Sequence, residues 1–256
     1  MAWRSLPLSD ELIWRAPLPT AEHALAESIR EKIATLRPHL LDFLRLDEPA
    51  PRHALTLAEW SQPIATWSDH IYRHQPTLPR EQKPLLSLWA QWYIGLLVPP
   101  LMLALLNEPQ GLSLAPEHFH VEFHESGRAA CFWIDVHSDA DIERLSPQAR
   151  MDALVTRTLQ PVVEALAATG EINSKLIWSN TGYLINWYLG EMRALLGDER
   201  LAALRQHCFF EKQLADGQDN PLWRTVMLRE GQLVRRTCCQ RYRLPDVQQC
   251  GDCTLK

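Results

Sequence analysis

The chain has 256 residues, 46% of them hydrophobic, and its 26 basic and 31 acidic side chains give a formal net charge of −5. A chain of this length and composition can bury a sizeable core, which excludes disorder as a description of the whole. The acidic balance supplies no basic field of the kind that a dedicated nucleic-acid-binding protein needs, so we expect no nucleic-acid partner.

The N-terminal residues show no export signal. Met1–Asp10 carries Arg4 as its early positive charge, and it has neither an apolar run of signal-peptide length nor a small-residue cleavage site. We therefore expect the protein to stay in the cytoplasm, where thiols remain reduced.

The first hundred residues are predicted to be helical. Apolar residues recur every three to four positions over residues 20–46, which predicts an amphipathic helix that Pro38 kinks or divides. A weaker helical pattern covers residues 55–72. The segment Leu85–Leu106 has no charged side chain, and by length it could cross a hydrocarbon layer of ~30 Å. Because Pro99 and Pro100 interrupt it, we favour two packed core helices that meet at the prolines over a membrane span.

The hydrophobic period changes to two at residues 118–124, as on a half-buried strand. With the turn at 125–127 and the apolar run Ala130–Val136, this pattern predicts a β-hairpin. The polar members of the alternation are His118, His120, Glu122 and His124. They could bind iron or contact a chelate, although such a face is more often solvated.

Two further helices and a second hairpin are predicted towards the C-terminus. Ser146 and Pro147 begin one helix, which Gly170 ends, and residues 172–196 form another that stops at Gly197. The polar loop 215–221 is the best internal boundary. Residues 226–229 and 232–235 flank Glu230 and Gly231, which predicts a short hairpin.

The predicted fold class is therefore α+β and predominantly helical. It is one domain with a small β-hairpin and a C-terminal cysteine-ligated metal-cluster segment. We expect a helical body over residues 1–220 and a metal-binding C-terminal segment over residues 221–256.

Four of the six cysteines lie in that C-terminal segment, as Cys238-Cys239 followed after ten residues by Cys250-x-x-Cys253. A Cys-x-x-Cys loop presents two sulfurs to one metal in both zinc and iron–sulfur sites. Adjacent cysteines have Cα atoms only ~3.8 Å apart and their side chains diverge, which suits a two-iron cluster better than a zinc knuckle. A structural zinc site stays open as an alternative. The remaining two cysteines, at positions 131 and 208, are expected to be buried and inert.

Basic side chains outnumber acidic ones around these cysteines. Cations near a cluster favour its reduced state, and they attract an anionic ligand or an acidic redox partner. The residues expected to contact such a substrate are Arg235, Arg236, Arg241 and Arg243. For any single one of them, an ordinary solvated surface is the alternative.

The stretch TCCQRYRLPDVQQCGDC resembles the C-terminal signature of the FhuF-type ferric-siderophore reductases. The resemblance implies that the four cysteines hold a [2Fe–2S] cluster and that the protein works at the cytoplasmic side of the membrane. It also implies reduction of iron delivered as a ferric hydroxamate-type siderophore. Upstream, Trp178-Ser179-Asn180 is similar to a Trp-Gly-Asn element of that family, with serine in place of glycine. The alternative for these residues is a core tryptophan and an asparagine satisfied by nearby backbone.

Reduction by one electron releases such iron, because hard oxygen donors hold ferric iron far more tightly than ferrous iron. The sequence has no Gly-x-Gly-x-x-Gly motif of its own for a nicotinamide or flavin, so we expect an external donor, a ferredoxin or a flavoprotein reductase. The predicted function is thus ferric-siderophore reduction. The alternative is a non-redox siderophore- or iron-binding module with structural zinc. Peripheral contact with the inner membrane or with a siderophore transporter is a further expectation.

Overall fold

Helices make up most of the described part of the chain, which comprises residues 20–57, 59–251 and 253–255 of a computed structural model. The helices are α1 (Ala21–Leu36), α2 (Ser61–Ile71), α3 (Gln82–Asn107), α4 (Ala140–Glu143), α5 (Pro147–Ala153), α6 (Gln160–Ala167), α7 (Ser174–Glu191) and α8 (Arg193–Phe210). A π-helical turn, Leu154–Leu159, joins α5 to α6. The segment Met1–Asp10, considered above for an export signal, lies outside the described residues.

Capping residues determine where several helices begin. Thr20, Ser146 and Asn173 each precede a helix, and each side chain accepts a hydrogen bond from the backbone N–H three residues later. The predicted helix start at Ser146 is confirmed. The predicted helix over residues 20–46 is shorter than expected, because Pro38 ends it and the chain continues as a 3₁₀ turn.

The α3 helix is continuous through its two prolines, so the prediction of two helices meeting there is wrong. Pro99 has no N–H to donate to the Gly95 carbonyl, and the Tyr188 hydroxyl of α7 donates to that oxygen instead, at 2.8 Å. Burial raises the pKa of Tyr188 to about 12, so its hydroxyl keeps the proton. The helix is long and apolar enough to cross a membrane, but 83% of its most apolar window is buried inside the protein. It forms the centre of the core.

A small sheet packs against α3. Its strands are β1 (Leu44–Leu46), β2 (Leu55–Thr56), β3 (Phe119–Phe123) and β4 (Ala129–Ile134). Their order is β1-β4-β3-β2, with β1 parallel to β4 and the other pairs antiparallel. The predicted hairpin is confirmed as β3 and β4. The two outer strands were not predicted, because three- and two-residue segments show no period.

The helix predicted over residues 172–196 ends at Glu191 instead. A second helix, α8, follows and is broken at Gly197, which has φ 74°. Polar contacts then hold the loop 215–221 to the end of α8. Asn220 donates to three carbonyl oxygens of α8 and of the residue after it, at 3.0–3.3 Å. His207 bonds Asp152 and Glu211, at 2.7 Å each, and the Asp152 hydrogen bond is the main cause that raises the pKa of His207.

The chain then forms the predicted second hairpin, β5 (Val226–Arg229) and β6 (Gln232–Arg235). Its two-residue turn has φ 50° at Glu230 and 79° at Gly231, the positive values that a tight hairpin turn requires. The residue before β5, Thr225, packs directly on α7, since a Cβ atom at Gly182 would lie 2.1 Å from its hydroxyl oxygen. The division into residues 1–220 and 221–256 stays a prediction.

Candidate metal centre

The four C-terminal cysteines converge just after β6. The Cys253 sulfur contacts the sulfurs of both Cys238 and Cys250, and Cys239 follows Cys238 directly in the chain. Cys239 and Cys253 are buried, whereas Cys238 and Cys250 are half-buried. The 3₁₀ turn and loop between Cys239 and Cys250 therefore bring the two cysteine pairs together, with the sulfurs of Cys238, Cys250 and Cys253 in contact.

N–H groups point at three of these sulfurs. The Gln240 backbone donates to the Cys238 sulfur at 3.3 Å. A hydrogen bond from the backbone of Leu255 is the main cause that lowers the pKa of Cys253, whereas burial raises the pKa of Cys238. Donors of this kind stabilise thiolate sulfur, which is the form that binds metal.

Arg235 is the third donor, and it lies inside the protein rather than at its surface. Its side chain is buried, with 3% of the residue exposed, and one terminal nitrogen donates to the Cys250 sulfur at 3.1 Å. The other donates to the Asn180 and Gln91 side-chain oxygens at 3.2 and 3.3 Å. The guanidinium also lies 4.9 Å from the centre of the Tyr183 ring. The structure thus shows Arg235 in contact with a cysteine, and the substrate contact expected from the sequence stays a prediction.

A chain of buried hydrogen bonds ties the adjacent cysteine pair to the core helices. The Asn180 amide of α7 donates to the Ser87 hydroxyl of α3 at 3.0 Å, and that hydroxyl donates to the Cys239 carbonyl at 2.8 Å. All three residues are at most 2% exposed. The side-chain amide of Asn180 is therefore hydrogen-bonded to Ser87 and Arg235, rather than to nearby backbone. Sequence reasoning missed Ser87, although Ser87 and Gln91 stand four residues apart on one helical face of an otherwise apolar segment.

The other three arginines expected to contact substrate have different surroundings. Arg243 pairs with Glu81 at the start of α3, and Arg241 donates to the Gln248 carbonyl at 2.8 Å. Arg236 is exposed and lines a cavity of about 510 Å³. Of the four, the structure brings Arg235 to the sulfurs and Arg236 to an open cavity.

The polar residues expected to share one face of β3 do not act together. The His124 ring contacts the Ser126 hydroxyl at 2.9 Å, whereas His118 lies in a 3₁₀ turn with its ring 4.3 Å from that of His137. His137 also bonds Asp135 at 2.9 Å, and the ligand atoms of these three residues lie within 4.8 Å of one another. This partly exposed group lies at the opposite end of the hairpin from Gly127, whose carbonyl accepts a hydrogen bond from Trp89 of α3.

The two isolated cysteines are buried, as predicted. Burial raises the pKa of Cys131 to about 11 and that of Cys208 to about 12, so both are protonated at neutral pH. Neither is a thiolate available to metal.

The donor set fits a cluster of two irons. Within the described residues, the buried Arg235 cation has two amides and a thiol as hydrogen-bond partners and no carboxylate. A buried charge without a counter-charge is costly. Four thiolates around a [2Fe–2S] core carry a net negative charge in both redox states, so such a group beside Cys250 would stabilise the buried Arg235 cation.

Comparison with known proteins also indicates a two-iron cluster at these cysteines. A family model described as "Ferric iron reductase FhuF-like transporter" matches residues 87–233. A second, described as "FhuF 2Fe-2S C-terminal domain", matches residues 235–255, which contain all four cysteines and Arg235. The chain is also 64% identical to a curated protein of Escherichia coli (strain K12), "Ferric siderophore reductase", over the whole of both chains. The cofactor indicated is therefore a [2Fe–2S] cluster rather than structural zinc.

Proposed function

Because the chain belongs to the FhuF family of ferric iron reductases and carries its 2Fe–2S C-terminal domain, we propose that it reduces ferric siderophores by one electron. The observation that carries this proposal is the contact of the Cys253 sulfur with those of Cys238 and Cys250, with the buried Arg235 cation against Cys250. The name of the 64% identical relative supports the same substrate class.

A [2Fe–2S] cluster held by these cysteines would supply the one electron that reduces the ferric ion of the chelate, and hard oxygen donors hold the ferrous product far more weakly. Transfer of one electron needs neither a nucleophile nor an acid–base pair. The residues of the chain hold the electron carrier, set the charge around it and admit the substrate.

We assign the four ligands to Cys238, Cys239, Cys250 and Cys253. The Ser87 hydroxyl holds the backbone of Cys239, so that one half of the donor set is attached to the core helix α3. Arg235 places a positive charge at Cys250, which favours the more negative, reduced state. The ligands are thereby oriented before the substrate arrives.

We further propose that the substrate is of the hydroxamate type and that a ferredoxin or a flavoprotein reductase supplies the electron. Arginines beside the cysteines suit docking of an acidic donor protein. We also propose that the reaction takes place in the cytoplasm, because free thiols and a reduced cluster suit a reducing compartment. Peripheral contact with the inner membrane or with a siderophore transporter belongs to the same proposal.

A single-turnover experiment tests the proposal. The anaerobic protein is reduced with dithionite, freed of excess reductant and mixed with a ferric trishydroxamate in the presence of a ferrous chelator. We expect the cluster spectrum to return to the oxidised form while about one ferrous ion per chain is trapped.

Two cysteine variants serve as a matched pair. Cys239→Ser should lose cluster and turnover together, whereas Cys208→Ser, which replaces an isolated buried thiol, should retain both. A reduced wild-type protein that yields no ferrous iron would contradict the proposed function. Unchanged cluster content in Cys239→Ser would remove that residue from the ligand set.

A further inference from the structure

A cavity of about 510 Å³ lies between the start of α7, the loop before β5 and the chain leaving β6, and it is lined by Thr237, the residue before Cys238. This size is within the usual range of small-molecule sites. The lining residues that matter here are Lys175, Trp178, Trp223, Arg224, Arg236 and Thr237.

Every charged side chain that lines this cavity is basic. Lys175, Arg224 and Arg236 contribute three positive charges, and no aspartate or glutamate is among the described lining residues. In a protein with a net charge of −5, this is a local reversal of sign. A low-dielectric recess lined by one sign of charge concentrates ligands of the opposite sign.

Two indole rings give the cavity flat apolar surface. Trp178 is largely buried, with 8% exposed, whereas Trp223 is 37% exposed. The cations of Arg224 and Lys212 lie 5.6 and 5.4 Å from the Trp223 ring, and they hold that ring at the cavity edge. Aromatic walls with a few polar groups suit the organic framework of a chelate.

The cavity is next to the proposed electron carrier along the backbone. The Thr237 hydroxyl donates to the Ser179 hydroxyl at 2.7 Å on the cavity wall, and the next residue is the ligand Cys238. A second opening of about 630 Å³, beside the starts of α2 and α3, is lined by Glu59 and Glu171, and none of its described lining residues is basic. Its charge does not suit an anion.

We propose that the cavity beside Cys238 is the chelate site and that it selects ferric chelates with a net negative charge, such as those carrying free carboxylates. This inference rests on the proposed function and adds the location and the preferred charge of the substrate. A trishydroxamate of ferric iron has no net charge at its metal centre, so the pendant groups decide the preference.

Binding of non-reducible gallium(III) chelates to the cluster-loaded protein tests the site separately from turnover. The probes are a gallium citrate-based dihydroxamate, which is anionic, and a neutral gallium trishydroxamate, each measured by calorimetry. Arg236→Glu should weaken the anionic probe about tenfold and the neutral one less than threefold. Arg229→Glu makes the same charge change at an exposed arginine of the same hairpin outside the cavity, and it should stay within twofold of wild type.

Arg224→Asn provides a second variant, because asparagine tolerates the φ of 55° at this position while removing the charge. It should weaken the anionic probe severalfold, and the cluster absorbance reports that each variant is folded. Equal affinities of Arg236→Glu and Arg229→Glu for the anionic probe would overturn the site. If that occurs while wild-type single turnover persists, the location is wrong and the reductase function stands. If the reduced wild-type protein yields no ferrous iron, the reductase function itself is contradicted.

Discussion

Replacing Arg235 by glutamine should lower the reduction potential of the cluster. The substitution removes a buried positive charge and its hydrogen bond to the Cys250 sulfur, at 3.1 Å, while keeping a polar amide beside Asn180. The reduced cluster carries one more negative charge than the oxidised one, so it loses more stabilisation when the cation is removed.

The expected magnitude follows from the contact. Two unit charges about 4 Å apart interact by about 4 kcal/mol at an effective dielectric constant near 20. The added electron is shared over the irons and their sulfurs, so roughly 1–2 kcal/mol of this energy belongs to the Arg235 contact. Since about 59 mV corresponds to a tenfold change for one electron, or about 1.36 kcal/mol, the potential should fall by roughly 40–90 mV.

Redox titration followed by visible absorbance or electron paramagnetic resonance measures the shift. Arg235→Lys keeps the charge and should shift the potential less than the glutamine variant does. Arg243→Gln removes an exposed arginine that is paired with Glu81, and it should leave the potential within about 15 mV of wild type because solvent screens it. If Arg235→Gln retains its cluster with an unchanged potential, the charge argument is refuted.

Three further predictions concern the scaffold, and each is measured by urea unfolding of the cluster-loaded protein. Tyr188→Phe should cost about 1–3 kcal/mol of unfolding free energy, because the Gly95 carbonyl loses its donor; a change below about 0.5 kcal/mol would mean that the continuous helix does not need it. Asn220→Ala removes the amide that bonds three carbonyls at the end of α8 and should cost roughly 2–4 kcal/mol, whereas a neutral result would show that water replaces it. The hydrogen bond to Asp152 is the main cause that raises the pKa of His207 in the folded protein. The stability that protonated His207 contributes is therefore fully present below about pH 6.5, and it is lost as the pH rises through the folded pKa. His207→Gln should therefore lose more stability at pH 6 than at pH 8.5, and an equal loss at both values would count against the assignment.

The sequence predicted those elements whose hydrophobic pattern persists over several residues or whose ends carry clear turn and cap residues. The β3–β4 and β5–β6 hairpins and the Ser146 helix start agree with the structure because alternation, turn residues and caps act over a few positions. The continuity of α3 could not be predicted in this way. Its proline break is compensated by Tyr188, which lies 93 residues from Gly95 in the chain.

The same limit applies at the metal centre. The four cysteines were identifiable because their spacing is itself the signal. Arg235 is buried against Cys250, whereas Arg236 is exposed. Two adjacent arginines in a sequence do not indicate which of them is buried. It depends on which side of β6 faces α7, and the Asn180 side chain that receives Arg235 is 55 residues away.

The central claim is that the four C-terminal cysteines hold a [2Fe–2S] cluster, and metal analysis of anaerobically purified protein tests it most directly. Iron, acid-labile sulfide and zinc are determined on one sample whose visible spectrum is recorded before and after dithionite. The account predicts two irons and two sulfides per chain and a red-brown colour that bleaches on reduction. A colourless protein containing zinc and no sulfide would contradict it.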